Sequence, residues 1–154
     1  MKAQWNLKNE YRTTTIIAVA IMSSLLIYVV LVELIKHGYL PIARSSPAPM
    51  GQMKEGFLGM ALLALVAVRA SRNRILKKSS ADNAGTLANK LKIATILTFA
   101  ISEIPAILGL VLFLKGGADE DFYVLLIFSL LLMVLYFPRY RHWKAWIGTA
   151  ASFY

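Results

Sequence analysis

The chain has 154 residues, of which 58% are hydrophobic, and it carries a formal net charge of +9. Its mean hydropathy is +0.59, and its apolar fraction exceeds the roughly 45–50% that is usual for soluble domains. The composition therefore indicates a membrane protein. Because the sequence contains no cysteine, disulfides and thiolate metal sites are excluded.

Four apolar segments predict an all-α membrane protein that forms a single membrane domain over residues 1–154. The predicted transmembrane helices cover about 13–35, 56–70, 93–114 and 122–137. The first and third reach the roughly 20 residues that cross a hydrocarbon core. The second is the weakest, because its apolar part spans only about 20 Å at 1.5 Å per residue, although charged side chains at its ends can snorkel outward. A cleaved signal peptide competes for the first segment, but the apolar run is longer than the usual 7–15 residues, which favours a retained span.

Aromatic residues flank the predicted helices where a chain crosses the headgroup region. The tail 138–154 is predicted to turn at Pro138 and to lie along the inner surface as an interfacial segment. Trp5, before the first helix, is an expected interfacial anchor, as are Trp143 and Trp146 in the tail.

The distribution of positive charge predicts the topology. Thirteen Lys and Arg residues lie in the two terminal segments and in the loop between helices two and three, and four lie in the other two loops. The positive-inside rule then places both termini in the cytoplasm, with the protein integral to a bacterial inner membrane. Topology is sufficient to explain the charge. Anionic lipid headgroups are expected partners on the basic side, whereas nucleic acid is not, since no recognition fold accompanies the charge.

Two short stretches suggest an internal repeat of two hairpins. Residues 31–38 (LVELIKHG) and 110–117 (LVLFLKGG) are separated by 79 positions and share four of their eight residues. Extending the alignment places Ser23 and Ser24 on Ser102 and Glu103. Parallel repeats of this kind occur in membrane proteins, and coincidence among Leu and Val residues is the alternative.

A carboxylate interrupts the third apolar run, AISEIPAILGLVLFL. Glu103 is the eleventh of 22 residues in the predicted span, so it lies near the bilayer midplane. A charge there costs about 2.5–3.5 kcal/mol and is usually directed toward protein or a wet cavity. Pro105 lacks a backbone donor and leaves a carbonyl near Ile101 free. We therefore expect Glu103, Ser102 and Thr98 to be candidate ligands for H⁺ or Na⁺, with lipids as the other bound molecules and no other metal or cofactor.

The same helix carries small and hydroxylated residues at spacings of three and four. Such a stripe allows helices to pack closely in a membrane. The residues expected to serve helix packing are Thr95, Pro105, Ala106 and Gly109.

The run SEIPAILGLVLFL resembles the ion-carrying helix of the proteolipid (c) subunits of rotary ATPases. In those subunits a membrane-embedded Glu is followed by a small residue or proline and then by a run similar to AIxGLVxAFL. The resemblance covers about 15 residues and implies that Glu103 is an ion-binding carboxylate. The chain departs from the family pattern in three ways: helix two lacks a Gly-rich pattern and ends in Arg69, the cytoplasmic loop is long and basic, and helices one and four have no clear counterpart.

Two functions are compatible with these features. The first is a non-catalytic accessory subunit of a larger membrane complex, in which Glu103 forms hydrogen bonds between helices. The alternative is an ion-handling, proteolipid-like subunit in which Glu103 binds H⁺ or Na⁺ reversibly. Expected partners are other membrane subunits or further copies of the chain. An enzyme is not expected, because the sequence has no metal-ligand cluster, nucleophile–base pair or phosphate loop.

The topology is testable by cysteine labelling. With both termini cytoplasmic, an impermeant thiol reagent added outside intact cells should label Ser46→Cys and not Ser80→Cys, since the chain has no native cysteine. The reverse pattern would invert the topology.

Overall fold

The protein is all-helical in the part of the chain that the structure describes. That structure is a computed structural model describing residues 2–42, 51–77, 79 and 82–151, and the side chains of all these residues except 2–6, 52 and 149–151. Its five helices are α1 (Lys2–Lys36), α2 (Gly51–Ile75), α3 (Ala84–Leu114), α4 (Asp119–Leu135) and α5 (Tyr140–Ala151).

Two of these helices are long and apolar enough to cross a membrane. They are α1, over Leu7–Lys36, and α3, over its full length. A third span results only if α4 and α5, which are bent by 47° at the break between them, are counted together. α2 is not among the candidate spans. Its apolar stretch is bounded by Lys54 and Glu55 on one side and by Arg69 on the other, so it is shorter than the roughly 20 residues that cross a hydrocarbon core. The four-span arrangement therefore stays a prediction.

α1 and α3 begin well before their predicted starts at residues 13 and 93. Hydropathy marks only the part of a helix suited to the membrane, and the polar residues before it continue the same helix here. The predicted polar connection between helices two and three is accordingly wrong for residues 84–90, which belong to α3. Asn83 begins that helix, because its side-chain oxygen accepts a hydrogen bond of 2.8 Å from the backbone N–H of Thr86.

The short connection before α3 is held by a carboxylate. Asp82 accepts a bond of 2.6 Å from the Lys90 ammonium and one of 2.8 Å from the backbone N–H of Ser79. The Lys90 ammonium, followed by the Ser79 N–H, holds the pKa of Asp82 below its ordinary value. Asp82 is therefore ionised at neutral pH and attaches the connection to the first turns of α3.

α3 is the central helix, and the other four helices all pack against it. α1 runs parallel to α3, since Glu10 contacts Lys92 at one end and Val32 packs in the same cluster as Phe113 at the other. α4 runs antiparallel to α3, as the ring pair Phe113–Phe122 shows at one end and Phe99–Phe137 at the other.

The bundle has two chemically different ends. We call the end that holds the start of α1, the end of α2 and α5 the basic end, and the opposite end, with the α3–α4 connection, the acidic end. At the acidic end Lys54 of α2 forms an ion pair of 2.6 Å with Asp121 of α4. At the basic end the Arg72 guanidinium lies 5.2 Å from the centre of the Tyr136 ring. α2 and α4 therefore run in the same direction.

The stripe of small residues on α3 lies in the interior. Thr95, Thr98, Ser102 and Ala106 are at most 3% exposed, and Pro105 is buried with them. Gly109 marks the closest approach of α4: a Cβ atom there would lie 3.1 Å from the Cβ of Leu125 and 3.2 Å from the carbonyl oxygen of Phe122. Small side chains thus allow α4 to lie directly against α3.

α5 begins after a break at Pro138 and folds back onto α1. Trp143 is 3% exposed, and its ring centre lies 5.6 Å from that of Tyr11 in an edge-on arrangement. The sequence predicts an anchor facing the headgroups, whereas Trp143 is packed against protein because Tyr11 of α1 covers it. Trp146 is half-buried. The side chain of Trp5 lies outside the described residues.

The close packing at Gly109 is testable with a matched pair of variants. Gly109→Val should lower the free energy of unfolding by about 1–3 kcal/mol, because the added methyl groups meet the backbone of α4. Gly59→Val is the control, since no atom lies within 4 Å of a Cβ at that position of α2, and it should change stability by less than about 1 kcal/mol. Both are measured by unfolding in detergent micelles. Equal losses would show that Gly109 is not a packing constraint.

Candidate functional site

Glu103 forms a polar contact between the two candidate spans at the middle of their length. Its Oε1 atom lies 2.5 Å from Ser24 Oγ and 2.7 Å from Tyr28 Oη. Ser24 and Tyr28 are four residues apart on α1 and therefore share one face of that helix. The Glu103 side chain is partly buried at this seam. A carboxyl group at mid-span is thus bonded to two hydroxyl groups of a neighbouring helix.

The Ser24 hydroxyl lies between two hydrogen-bond acceptors. Ser24 Oγ lies 2.6 Å from the carbonyl oxygen of Ile21 as well as 2.5 Å from Glu103 Oε1. A serine hydroxyl has one proton to donate. The carbonyl oxygen of its own helix and the carboxyl group of α3 therefore share that proton.

Glu103 has no basic partner at this seam. In the part of the chain that the structure describes, it forms no ion pair with Lys, Arg or His. An ionised carboxylate near the middle of a span without a basic partner is costly. The site thus consists of a carboxyl group with two hydroxyl partners, and a neutral Glu103 is our prediction for it.

The structure does not bring Glu103 together with the other two predicted ion ligands. Thr98 Oγ1 donates a bond of 2.6 Å to the Ala94 carbonyl of its own helix. Ser102 faces α4, where the Ser129 hydroxyl donates to its carbonyl oxygen. Adjacent residues on a helix point about 100° apart, so Ser102 cannot face α4 and also join Glu103 at α1. Its own buried hydroxyl has no hydrogen-bond partner among the described residues.

The two partners of Glu103 differ in how far the sequence indicates them. The alignment of the suspected repeat places Ser24 on Glu103, 79 residues apart, and these two side chains are in contact. The contact follows from the parallel arrangement of α1 and α3 and does not require a duplication. The sequence indicates Tyr28 only weakly as a partner of Glu103. Its one relevant feature is its position one turn after Ser24, on the same face of an apolar helix.

A second polar contact joins α1 to α4 at the acidic end. The Tyr123 hydroxyl donates to Glu33 Oε1, and the Lys36 ammonium lies 3.7 Å from the same oxygen. The opposite Glu33 oxygen is 3.5 Å from His37 Nδ1. Glu33 thus forms an ion pair with Lys36 of its own helix, and its hydrogen bond with Tyr123 links α1 to α4.

Comparisons with known proteins identify no relative: no protein-family model, curated protein or solved structure matches the chain.

The protonation state of Glu103 is testable by infrared spectroscopy. At neutral pH the protein should show the carbonyl band of a protonated carboxyl group, and Glu103→Gln should remove it. Glu120→Gln, in the exposed acidic turn, should leave the band in place. Dicyclohexylcarbodiimide, which attacks protonated carboxyl groups in apolar surroundings, should modify Glu103 in preference to Glu120.

The same variants measure what the site contributes to stability. Glu103→Gln should cost less than about 1 kcal/mol, because an amide can donate to Ser24 and accept from Tyr28. Glu103→Ala should cost about 1–3 kcal/mol, since both hydroxyl groups lose their partner. A spectrum with carboxylate bands alone, together with equal losses in the two variants, would contradict the neutral site.

Proposed function

We propose that the protein is a small non-catalytic membrane subunit that associates with a larger membrane assembly, and that Glu103 joins its two most apolar helices. One observation carries the proposal: the mid-span carboxyl group has its hydrogen-bond partners, Ser24 and Tyr28, within the same chain. Hydrogen bonds of this kind between helices stabilise their arrangement in a membrane.

The hydroxyl groups around the site support this static role. On the path from Glu103 toward the basic end, Thr98 and Thr95 donate to carbonyl oxygens of their own helix, at 2.6 and 2.8 Å. A proton relay needs side chains that can exchange donors along a continuous path. These two hydroxyl groups are already bound to the backbone, so they contribute to packing and not to conduction.

An exposed strip on α3 offers a surface for a neighbouring helix. Its large apolar members are three, four or seven residues apart, the spacings with which helices pair side by side. The large apolar residues of this strip are Ile93, Leu97, Ile104, Ile107 and Val111, each between 37% and 48% exposed. We propose that this α3 strip is the contact with the assembly.

Ion handling by Glu103, with further copies of the chain as partners, is the second candidate function. It is favoured by one observation: the Glu103 side chain is only partly buried at the seam between α1 and α3. A neighbouring subunit can therefore reach the carboxyl group. The resemblance to proteolipid subunits points in the same direction.

Purification from native membranes in a mild detergent distinguishes the two functions. A heteromeric complex that contains this chain supports the accessory role, and a ring of this chain alone supports ion handling. Ile104→Trp should release the partner, whereas Leu131→Trp, on an exposed face of α4, should not. Glu103→Gln should leave the complex intact in the first case and abolish ion-linked activity in the second. A monomer that copurifies with nothing would refute both proposals.

A further inference from the structure

α5 is attached to the start of α1 by a cluster of aromatic rings. The Tyr11 hydroxyl donates a bond of 3.2 Å to the carbonyl oxygen of Pro138. The Tyr11 ring centre lies 5.2 Å from that of Tyr140 and 5.6 Å from that of Trp143. These contacts hold the break before α5 and its first turn against α1, so residues on the two helices form one continuous surface at the basic end.

Five exposed basic residues surround this attachment point, and we call them the basic junction. Two lie on α1, one before and one after Tyr11 in sequence. The other three lie directly before the start of α5 or in its first turns. The basic junction consists of Lys8, Arg12, Arg139, Arg141 and Lys144. Within the described residues, none of them forms an ion pair with a carboxylate.

The carboxylates at the basic end form ion pairs with Lys residues that do not belong to the basic junction. Glu10 pairs with Lys92 at 3.1 Å, and Asp82 pairs with Lys90 at 2.6 Å. Within the described residues, no carboxylate is therefore left to pair with the positive charges of the junction. At the acidic end, by contrast, Lys36 and Lys54 each form an ion pair with an Asp in the first turn of α4.

The position of the basic junction suits the surface of a membrane. The apolar run of α1 begins at Thr13, directly after Arg12 of the junction. On α5 the apolar residues Trp143, Trp146 and Ile147 lie at helical spacing and are buried or half-buried, while Arg141 and Lys144 are exposed on another side. α5 therefore turns its apolar side toward the bundle and its basic side outward, beside the start of the apolar run of α1.

We propose that the basic junction binds the anionic phosphate headgroups of the lipid bilayer. Charge complementarity selects this ligand, since juxtamembrane Lys and Arg residues attract anionic lipids. The aromatic attachment to Tyr11 contributes by presenting charges from two helices together, so that several headgroups are bound without a further ordering cost for α5. The inference is independent of the role proposed for Glu103.

The test uses the full chain in detergent, with the affinity for added lipid read from the fluorescence of Trp143 and Trp146 in a Trp5→Phe background. Phosphatidylglycerol should bind saturably, and phosphatidylcholine should not. The combined variant Arg139→Gln, Arg141→Gln and Lys144→Gln should weaken phosphatidylglycerol binding by about a hundredfold. Raising the salt concentration should weaken binding by the unaltered chain, because exposed charges are screened.

A triple variant with the same charge change at the same end of the bundle is the control. Arg69→Gln, Arg74→Gln and Lys77→Gln, all exposed at the end of α2, should change the affinity by less than about fivefold, since at most a diffuse part of the attraction is lost. If the α5 triple does not fold, Arg141→Gln alone should weaken binding by about fivefold.

Three outcomes would overturn the proposal. Equal losses in the two triple variants would show a diffuse positive field without a site at the junction. Equal binding of the two lipids would remove the role of charge. The same fluorescence change with inorganic phosphate, at the same concentration as the lipid, would assign the site to free phosphate.

Discussion

The arrangement of this protein depends on one requirement: a carboxyl group near the middle of an apolar helix must have hydrogen-bond partners that are not water. Hydrocarbon offers none, and an unpaired polar group there is costly. Ser24 and Tyr28 of α1 meet this requirement for Glu103 of α3. Their contact sets the register of two parallel helices, because sliding α1 by one turn would leave the carboxyl group without them.

The central position of α3 follows from its side chains. Hydroxyl groups, alanine and glycine cover the side that faces α4, so the two helices approach until backbone atoms of α4 limit the distance at Gly109. The hydroxyl groups of Thr95 and Thr98 donate hydrogen bonds to backbone carbonyls of their own helix. They therefore add no unpaired polar group to the contact between the helices. α3 can thus be surrounded by other helices over much of its length while Glu103 remains at the seam with α1.

The two ends of the bundle differ in charge because of where their carboxylates find partners. At the basic end, Glu10 and Asp82 are paired with Lys92 and Lys90, and the five residues of the basic junction form no ion pair within the described part of the chain. At the acidic end, the first turn of α4 supplies carboxylates that pair with Lys36 and Lys54. The two ends therefore differ in charge because ion pairs neutralise the Lys side chains at one end and leave the junction charged at the other.

The amino-acid sequence by itself determined the helical class, the apolar character of α1 and α3, and the position of Glu103 within an apolar run, because hydropathy and a charge within such a run are local properties. It did not determine the partners of that carboxyl group. Ser102 is its neighbour in sequence but faces α4, whereas Ser24, 79 residues away, is in contact with it. Only the packing of α1 against α3 decides this, since helix periodicity separates adjacent residues and tertiary contact joins distant ones. Burial of Trp143 under Tyr11 has the same origin: the sequence shows an aromatic residue suited to an interface, and the fold covers it with protein.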